Sequence, residues 1–265
     1  MKTITFFYSY GMGGWGDLVK GLHTAWCWSN ALNRNLRIHF HNHVFLTIFP
    51  QHSHPIMRLD LNTIDQVGKV TVADLKQFES QDNITITCNW FSTQSIGTVD
   101  PNPFYQELYT TWFPIRLSVQ IPSGFHVLHC RLGDKYLTEA TSCKGDNRIG
   151  SIARLKQIVE DYNRLGHEHT LVCGDSAPII KELLKTVNGA FAICQTPYHI
   201  AYNSPTILDH TADIKLMIQE HQAMTMATSI TMVAYSGFPI TAGRIGTVPL
   251  FLYTDATRNP YEDSY

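Results

Sequence analysis

The densest concentration of reactive side chains in this sequence is His129-Cys130-Arg131-Leu132-Gly133-Asp134-Lys135-Tyr136-Leu137-Thr138-Glu139-Ala140. It follows an apolar run and brings an imidazole, a guanidinium, an ammonium and two carboxylates together. An arginine at a strand end suits a diphosphate, because its fork donates two parallel hydrogen bonds. The plainer reading of the same residues is an Arg131–Asp134 ion pair that fixes the loop. Alternation along a strand puts His129 and Arg131 on one face and Cys130 on the other. That spacing argues against Cys130 and His129 as a nucleophile and its base, since adjacent strand residues point apart.

Three further clusters carry chemistry. Gly174-Asp175-Ser176 and Tyr235-Ser236-Gly237-Phe238 each close a strand-like run. Gly11-Met12-Gly13-Gly14-Trp15-Gly16 follows the first apolar run and fits the spacing of a dinucleotide-binding turn. Two features oppose a nicotinamide cofactor there. Asp17 puts a negative charge where a pyrophosphate needs the positive end of a helix. The second strand ends in His39-Phe40-His41-Asn42, with no acid to hold a ribose hydroxyl. The alternation of His39, His41 and His43 places three imidazoles on one strand face. They read as a polar cleft wall or acceptor surface, or else as a metal site with His52 and His54 nearby. Trp90, Phe91, Phe104, Tyr105, Tyr109 and Trp112 stack on sugars or, by default, pack a core.

The elements that must position these groups alternate in type. Strands are expected at residues 4–9, 36–40, 84–89, 125–130, 169–173, 190–194, 230–234 and 248–253. Helices are expected at 17–32, 149–165, 177–187, 211–225 and 240–246. Residues 41–60 read as loop, and the proline-punctuated 101–114 reads as a domain crossing. Strands alternating with helices give parallel sheets covered on both faces. Such sheets place ligand chemistry at the C-terminal ends of their strands, where all four clusters fall. Two units result, 1–122 and 123–265, with the clusters expected to line one cleft between them.

Composition narrows the field. The chain has 265 residues, 20 Lys plus Arg against 22 Asp plus Glu, and 44% hydrophobic residues. That excludes a fibrous or largely disordered chain, and the net charge of -2 argues against a general nucleic-acid binder. No apolar run approaches the roughly 18 residues that a membrane span needs. The N-terminus lacks the pattern of a secretion leader, so a cytoplasmic location is expected. The six cysteines form no C-x-x-C pair and read as buried thiols. No Asp-x-Asp occurs.

A family resemblance emerges from these motifs. Residues 129–140 resemble the first motif of the fucosyltransferase superfamily, His-x-Arg followed by Gly/Thr-Asp-Lys. Thr138-Glu139-Ala140 is similar to its extension in the α1,6-fucosyltransferases, rhizobial nodulation enzymes among them. Val172-Cys173-Gly174-Asp175-Ser176 and the run after it resemble the family's Thr-Asp-Asp and following helix. Asp213 to Met217, leading to Tyr235-Ser236-Gly237-Phe238 and Ala242, resembles its last motif, and residues 11–21 its opening glycine motif.

The resemblance implies an α/β GT-B architecture, two Rossmann-like domains facing a central cleft, with the donor held by the C-terminal one. It implies an inverting, metal-independent glycosyltransferase with GDP-fucose as donor, a glycan as acceptor and no cofactor. In that picture Glu139 is the general base, assisted by Lys135, and Arg131 with His129 neutralises the leaving diphosphate. Gly13, Gly14, Asp175, Ser176, Ser236, Gly237 and Phe238 complete the nucleotide-sugar site. Asp17, His41 and His43 are acceptor-side candidates. Leu132 stands where the family carries a second arginine, and Ser176 where it carries a second acid. Those departures keep open a related transferase using another nucleotide sugar. An NAD(P)-dependent oxidoreductase and a catalytically dead glycan-binding relative are the readings from other classes. The compact length points to a microbial or viral enzyme.

Overall fold

A computed structural model describes residues 2–9, 11–53, 63–65, 78–88, 101–131, 152–197, 210–254 and 257–261. Leu132, Asp134, Lys135 and Glu139 lie outside these residues, as do His54, Trp90 and Phe91. The chain forms two compact units. One is drawn from Met1–Leu108 and Ile200–Thr211, the other from Tyr109–His199 and Ala212–Ser264.

In the first unit, β1 (Thr3–Ser9) leads through the glycine turn into α1 (Trp15–Ala31), then β2 (Asn35–His41), β3 (Thr63–Asp65) and β4 (Asn83–Thr87). The sheet has the order β2-β1-β4-β3, and all its pairings are parallel. Ile4, Phe6 and Tyr8 alternate with less buried neighbours along β1 and are fully buried. That period of two is the signature of a strand with one face against a helix layer. The expected loop after β2 holds two short 3-10 turns, Val44–Thr47 and Pro50–His52. The proline-rich segment after residue 100 is helical. Pro101–Glu107 forms α2, which continues as a π-helical turn, Leu108–Trp112. Proline is well tolerated in a helix's first turn, where its missing N–H has no partner to lose. Phe104 is a buried core residue of this unit, and Tyr109 and Trp112, which belong to the second unit, are buried as well.

The second unit holds β5 (His126–Cys130), α3 (Ile152–Asn163), β6 (Thr170–Gly174), α4 (Ala177–Thr186), β7 (Ala190–Phe191), α5 (Thr211–Met224), β8 (Ser229–Met232), α6 (Gly237–Gly246), β9 (Leu250–Thr254) and β10 (Thr257–Pro260). The sheet order is β10-β9-β8-β5-β6-β7, parallel except for the β10 edge. Leu128 and Cys130 pack with Leu155, Ile158, Val159, Ile180 and Leu183 of α3 and α4. Val127, Leu171 and Met232 pack on the opposite face with α5 and α6 residues such as Met224, Ile240 and Ala242. The near-continuous apolar strands are those of a sheet buried on both faces. β3 and β10 have no counterpart in the sequence expectation. Both are short, and β10 is an edge strand whose Pro260 is admissible only at such a position.

Among the described residues, no helix is long and apolar enough to cross a membrane.

Sheet register sets one steric demand at the end of β6. Gly174 pairs with Cys130, and a Cβ at Gly174 would meet the Cys130 carbonyl oxygen at 2.3 Å. The obstacle is backbone, so relief requires the strands to separate. Gly174→Ala is expected to cost about 1–3 kcal/mol, the usual scale of overpacking. Urea denaturation of the two proteins measures it directly.

Candidate functional site

The strand order of the second sheet reverses between β5 and β8. Crossovers leave in opposite directions from such a point, and ligands bind outside the carboxyl ends of the flanking strands. Arg131 follows the end of β5, Asp175 and Ser176 follow β6, and Ser236-Gly237-Phe238 follows β8. Three of the four sequence clusters therefore lie on one edge of one sheet.

At that edge, Arg131 pairs with Asp175 at 3.9 Å, with side chains 14% and 4% exposed. The separation is that of an ion pair and is too long for a hydrogen bond. The carboxylate that Arg131 meets is thus Asp175, which the sequence expectation did not name as its partner; the expected pairing with Asp134 lies outside the described residues. His129 projects on the α5–α6 face and is buried, and its Nδ1 has no hydrogen-bond partner. Burial first, and the Arg131 charge second, pull its pKa down to about 3. A neutral imidazole with an unsatisfied buried nitrogen is costly and asks for an explanation. Cys130 faces the other core, and burial with the nearby Asp175 raises its pKa, so it is no thiolate nucleophile.

Two helices begin at the same edge. Ser176 is the N-cap of α4 and Ser236 that of α6, and neither side chain makes a cap hydrogen bond. Serine at an N-cap ordinarily satisfies one of the first-turn amides itself. The ring of Phe238 lies between two imidazoles. Its centroid is 6.1 Å from that of His129 and 4.9 Å from that of His221.

The first unit treats its helix terminus differently. The Gly14 amide donates to Asp17 Oδ2 at 3.2 Å, and Lys20 Nζ donates to Asp17 Oδ1 at 2.9 Å. The α1 N-terminus is thus occupied by the protein's own carboxylate. Gly13 has φ +126°, and a Cβ there would meet Asp17 Oδ2 at 2.4 Å. Both the turn and the carboxylate's approach require glycine. Tyr8 Oη donates to the Gly14 carbonyl at 3.2 Å.

The three-imidazole face does not form. His39 and His41 flank Phe7, with centroids 5.4 and 6.0 Å away. Asn42 then adopts φ +46°, which turns the chain out of the strand. His43 lands instead among Tyr8, Phe40 and Phe45, where its Nδ1 accepts from the Phe45 amide. Burial lowers its pKa to about 4. His43 is a buried capping residue and His41 a partly exposed one. Among the described residues, no group of three or more His, Cys, Asp or Glu is arranged to hold a metal ion.

Sequence reading missed a polar triplet within α5. Gln219, Glu220 and His221 are consecutive and all buried. Gln219 donates to the Arg116 carbonyl at 2.7 Å and accepts from Ser118 at 2.9 Å. Glu220 accepts from the Cys194 amide at 3.2 Å. His221 bonds Tyr109 and Thr241. The available signal was three polar residues interrupting a helix that is otherwise apolar on its inner face.

Comparison with known proteins finds no matching family model and no matching curated sequence. Solved structures do match. One is NodZ α1,6-fucosyltransferase soaked with GDP-fucose, at TM-score 0.50 and 12% identity, covering 99% of this chain and 99% of that one. Another is a mutant of FUT1 from Arabidopsis thaliana in complex with GDP, at TM-score 0.52 and 9% identity, covering 98% of this chain and 73% of that one. The fold is fucosyltransferase-like. At such identities the likeness is one of backbone architecture.

The buried titratable groups make stability depend on pH from both sides. His43, His129 and His221 are held neutral with pKa values of about 4, 3 and 3, against 6.5 when unfolded. Below pH 6.5 the unfolded chain binds more protons, so stability falls as pH falls, by up to about 1.4 kcal/mol per unit for each histidine. Glu220 is the reverse case: burial pushes its carboxyl up to about 8. Its contribution is complete below 4.5 and is lost as pH rises through about 8. The two trends place the stability maximum near pH 6.5, with the steeper decline on the acid side. Chemical denaturation between pH 5 and 9 should show this; Glu220→Gln should flatten the decline between 6.5 and about 8 and steepen the acid limb, where the Glu220 carboxyl opposes the histidines.

Proposed function

We propose that this chain is an inverting, metal-independent glycosyltransferase that transfers fucose from GDP-fucose to a glycan acceptor. The observation that carries the reading is the contrast between helix termini. In the first unit Asp17 fills the α1 terminus. In the second, the α4 and α6 termini lack a side-chain cap and share a sheet edge with Arg131 and with the unsatisfied Nδ1 of His129. Helix N-termini, a guanidinium and a buried imidazole together suit a diphosphate. Gly237 and Phe238 are the amides offered by α6, because Pro239 has none. The fucosyltransferase-like fold, seen in neighbours crystallised with GDP-fucose or GDP, supports the same donor.

In this mechanism Arg131, His129 and the α6 amides accept the charge that develops as the glycosidic bond breaks. They do the work that a divalent cation does in metal-using transferases, so no cofactor is required. Glu139, assisted by Lys135, deprotonates the acceptor hydroxyl. The nucleoside diphosphate leaves from the opposite face of the sugar, which inverts the anomeric carbon. The donor domain in this reading is the second unit, expected from the sequence at 123–265. Asp175 serves first as the partner of Arg131.

Ser176, buried where the family carries an acid, favours a second reading in which the same machinery takes another nucleotide sugar. An NAD(P) oxidoreductase is disfavoured by the carboxylate already seated at the α1 terminus.

Thermal-shift measurement with GDP, UDP, CDP, dTDP and NAD separates these readings. The true ligand at 100 times its dissociation constant adds about 2.7 kcal/mol, and GDP is expected to do so. EDTA should leave transfer unchanged, and a strict Mn²⁺ requirement would refute the metal-independent mechanism.

Two substitutions should then fail in different ways. Arg131→Ala removes a charge-assisted contact of roughly 1.5–3 kcal/mol, weakening GDP binding about 10- to 100-fold. It should lower turnover further, because charge grows toward the transition state. Glu139→Gln should leave GDP affinity near wild type while slowing transfer about 100- to 10,000-fold. Calorimetry paired with single-turnover assays distinguishes the two, and near-normal transfer by Glu139→Gln would remove it as the base.

A further inference from the structure

The first turn of α6 is poorly held by its own backbone. Its first bond, from the Ile240 amide to the Ser236 carbonyl, is long at 3.4 Å. Pro239 contributes no amide, and Ser236 makes no side-chain cap. A side chain binds the turn instead: Thr241 Oγ1 lies 2.9 Å from both the Gly237 and the Phe238 carbonyl oxygens. Threonine hydroxyls commonly bond back to carbonyls three and four residues earlier.

The donors and acceptors around Thr241 leave one consistent arrangement. A hydroxyl has a single hydrogen, and carbonyls can only accept, so that hydrogen points back into the turn. His221 Nε2, 2.8 Å from the same oxygen, must then be the donor. With Nε2 protonated and the ring neutral, Nδ1 accepts from the Tyr109 hydroxyl. All three residues are buried, and Phe238 packs edge-on to the same imidazole. Its neighbours on α5 bond elsewhere: Glu220 accepts from the Cys194 amide, and Gln219 bonds Arg116 and Ser118.

We propose that Tyr109, His221 and Thr241 form a hydrogen-bonded relay that positions the Gly237 and Phe238 amides at the N-terminus of α6 for a donor diphosphate. The ligand part of this inference rests on the donor reading above; the relay itself does not. Tyr109 donates to His221, His221 donates to Thr241, and Thr241 donates to the carbonyls of the turn. Each member is a positioning residue, and none needs to touch substrate. The relay ties the α6 terminus to the π-helical turn at which the second unit begins.

Thr241→Val preserves shape and removes the hydroxyl, whereas Thr241→Ser preserves the hydroxyl. In the full chain, Thr241→Val should accelerate amide hydrogen exchange at residues 240–243 at least about tenfold relative to strand β5, and Thr241→Ser should restore it. Long-range ¹⁵N spectra of the wild type should show His221 neutral with its proton on Nε2. Tyr109→Phe should leave that proton on Nε2, because Thr241 still needs a donor there, and should move only the Nδ1 resonance, which loses its hydrogen bond. For GDP, Thr241→Val should raise the dissociation constant about 2- to 10-fold, the effect of one hydrogen bond, with recovery in Thr241→Ser.

Exchange that rises uniformly, or not at all, overturns the relay, as does a wild-type His221 protonated on Nδ1. If the wild type binds no nucleoside diphosphate, the donor reading falls. Exchange and tautomer still decide the relay in that case.

Discussion

The reversal of strand order between β5 and β8 is the constraint on which the rest of the second unit depends. Because β5 pairs with β6 on one side and β8 on the other, its crossovers run to opposite faces. The α3–α4 layer covers Leu128 and Cys130, while the α5–α6 layer covers Val127 and Met232. The carboxyl edge between these layers is where Arg131, Asp175 and Ser236 emerge. Their convergence follows from topology, since Arg131 and Ser236 are 105 residues apart along the chain.

That edge is polar, and part of the cost is met by pairing. Asp175 is held by Arg131, and the polar triplet of α5 is bonded on every side. His129 has a buried Nδ1 lacking a hydrogen-bond partner. Strained or unsatisfied groups cluster where function needs them. An imidazole held neutral by burial is a competent hydrogen-bond partner for an anion, and Arg131 beside it supplies the fixed charge.

The two units share strand–turn–helix geometry but use it for different ends. In the first, a glycine turn lets Asp17 fold back onto the Gly14 amide, and Lys20 neutralises it. The helix dipole is thereby satisfied internally. In the second, serines stand at the caps of α4 and α6 without closing them. A glycine-rich turn is thus a poor guide to anion binding when an acid follows it three residues later.

The sequence by itself determined the alternation of strands and helices, because buried parallel strands and amphipathic helices leave distinct periodicities. It also determined the polar clusters at strand ends, because each interrupts an apolar run. His129 and Arg131 on one face, with Cys130 on the other, followed from the strand's period of two. Only the tertiary structure decided which partners these groups meet. Arg131 pairs with Asp175 through sheet register, a relation with no local signature. His43 left the histidine face because Asn42 turned the chain, and a left-handed asparagine is not legible from spacing alone. The helix at 101–107 hid behind its prolines, which are tolerated in a first turn. The bonding of Tyr109, His221 and Thr241 was beyond reach for the same reason as the ion pair. Periodicity reports which face a side chain takes, whereas hydrogen-bond partners are set by contacts between elements distant in the chain.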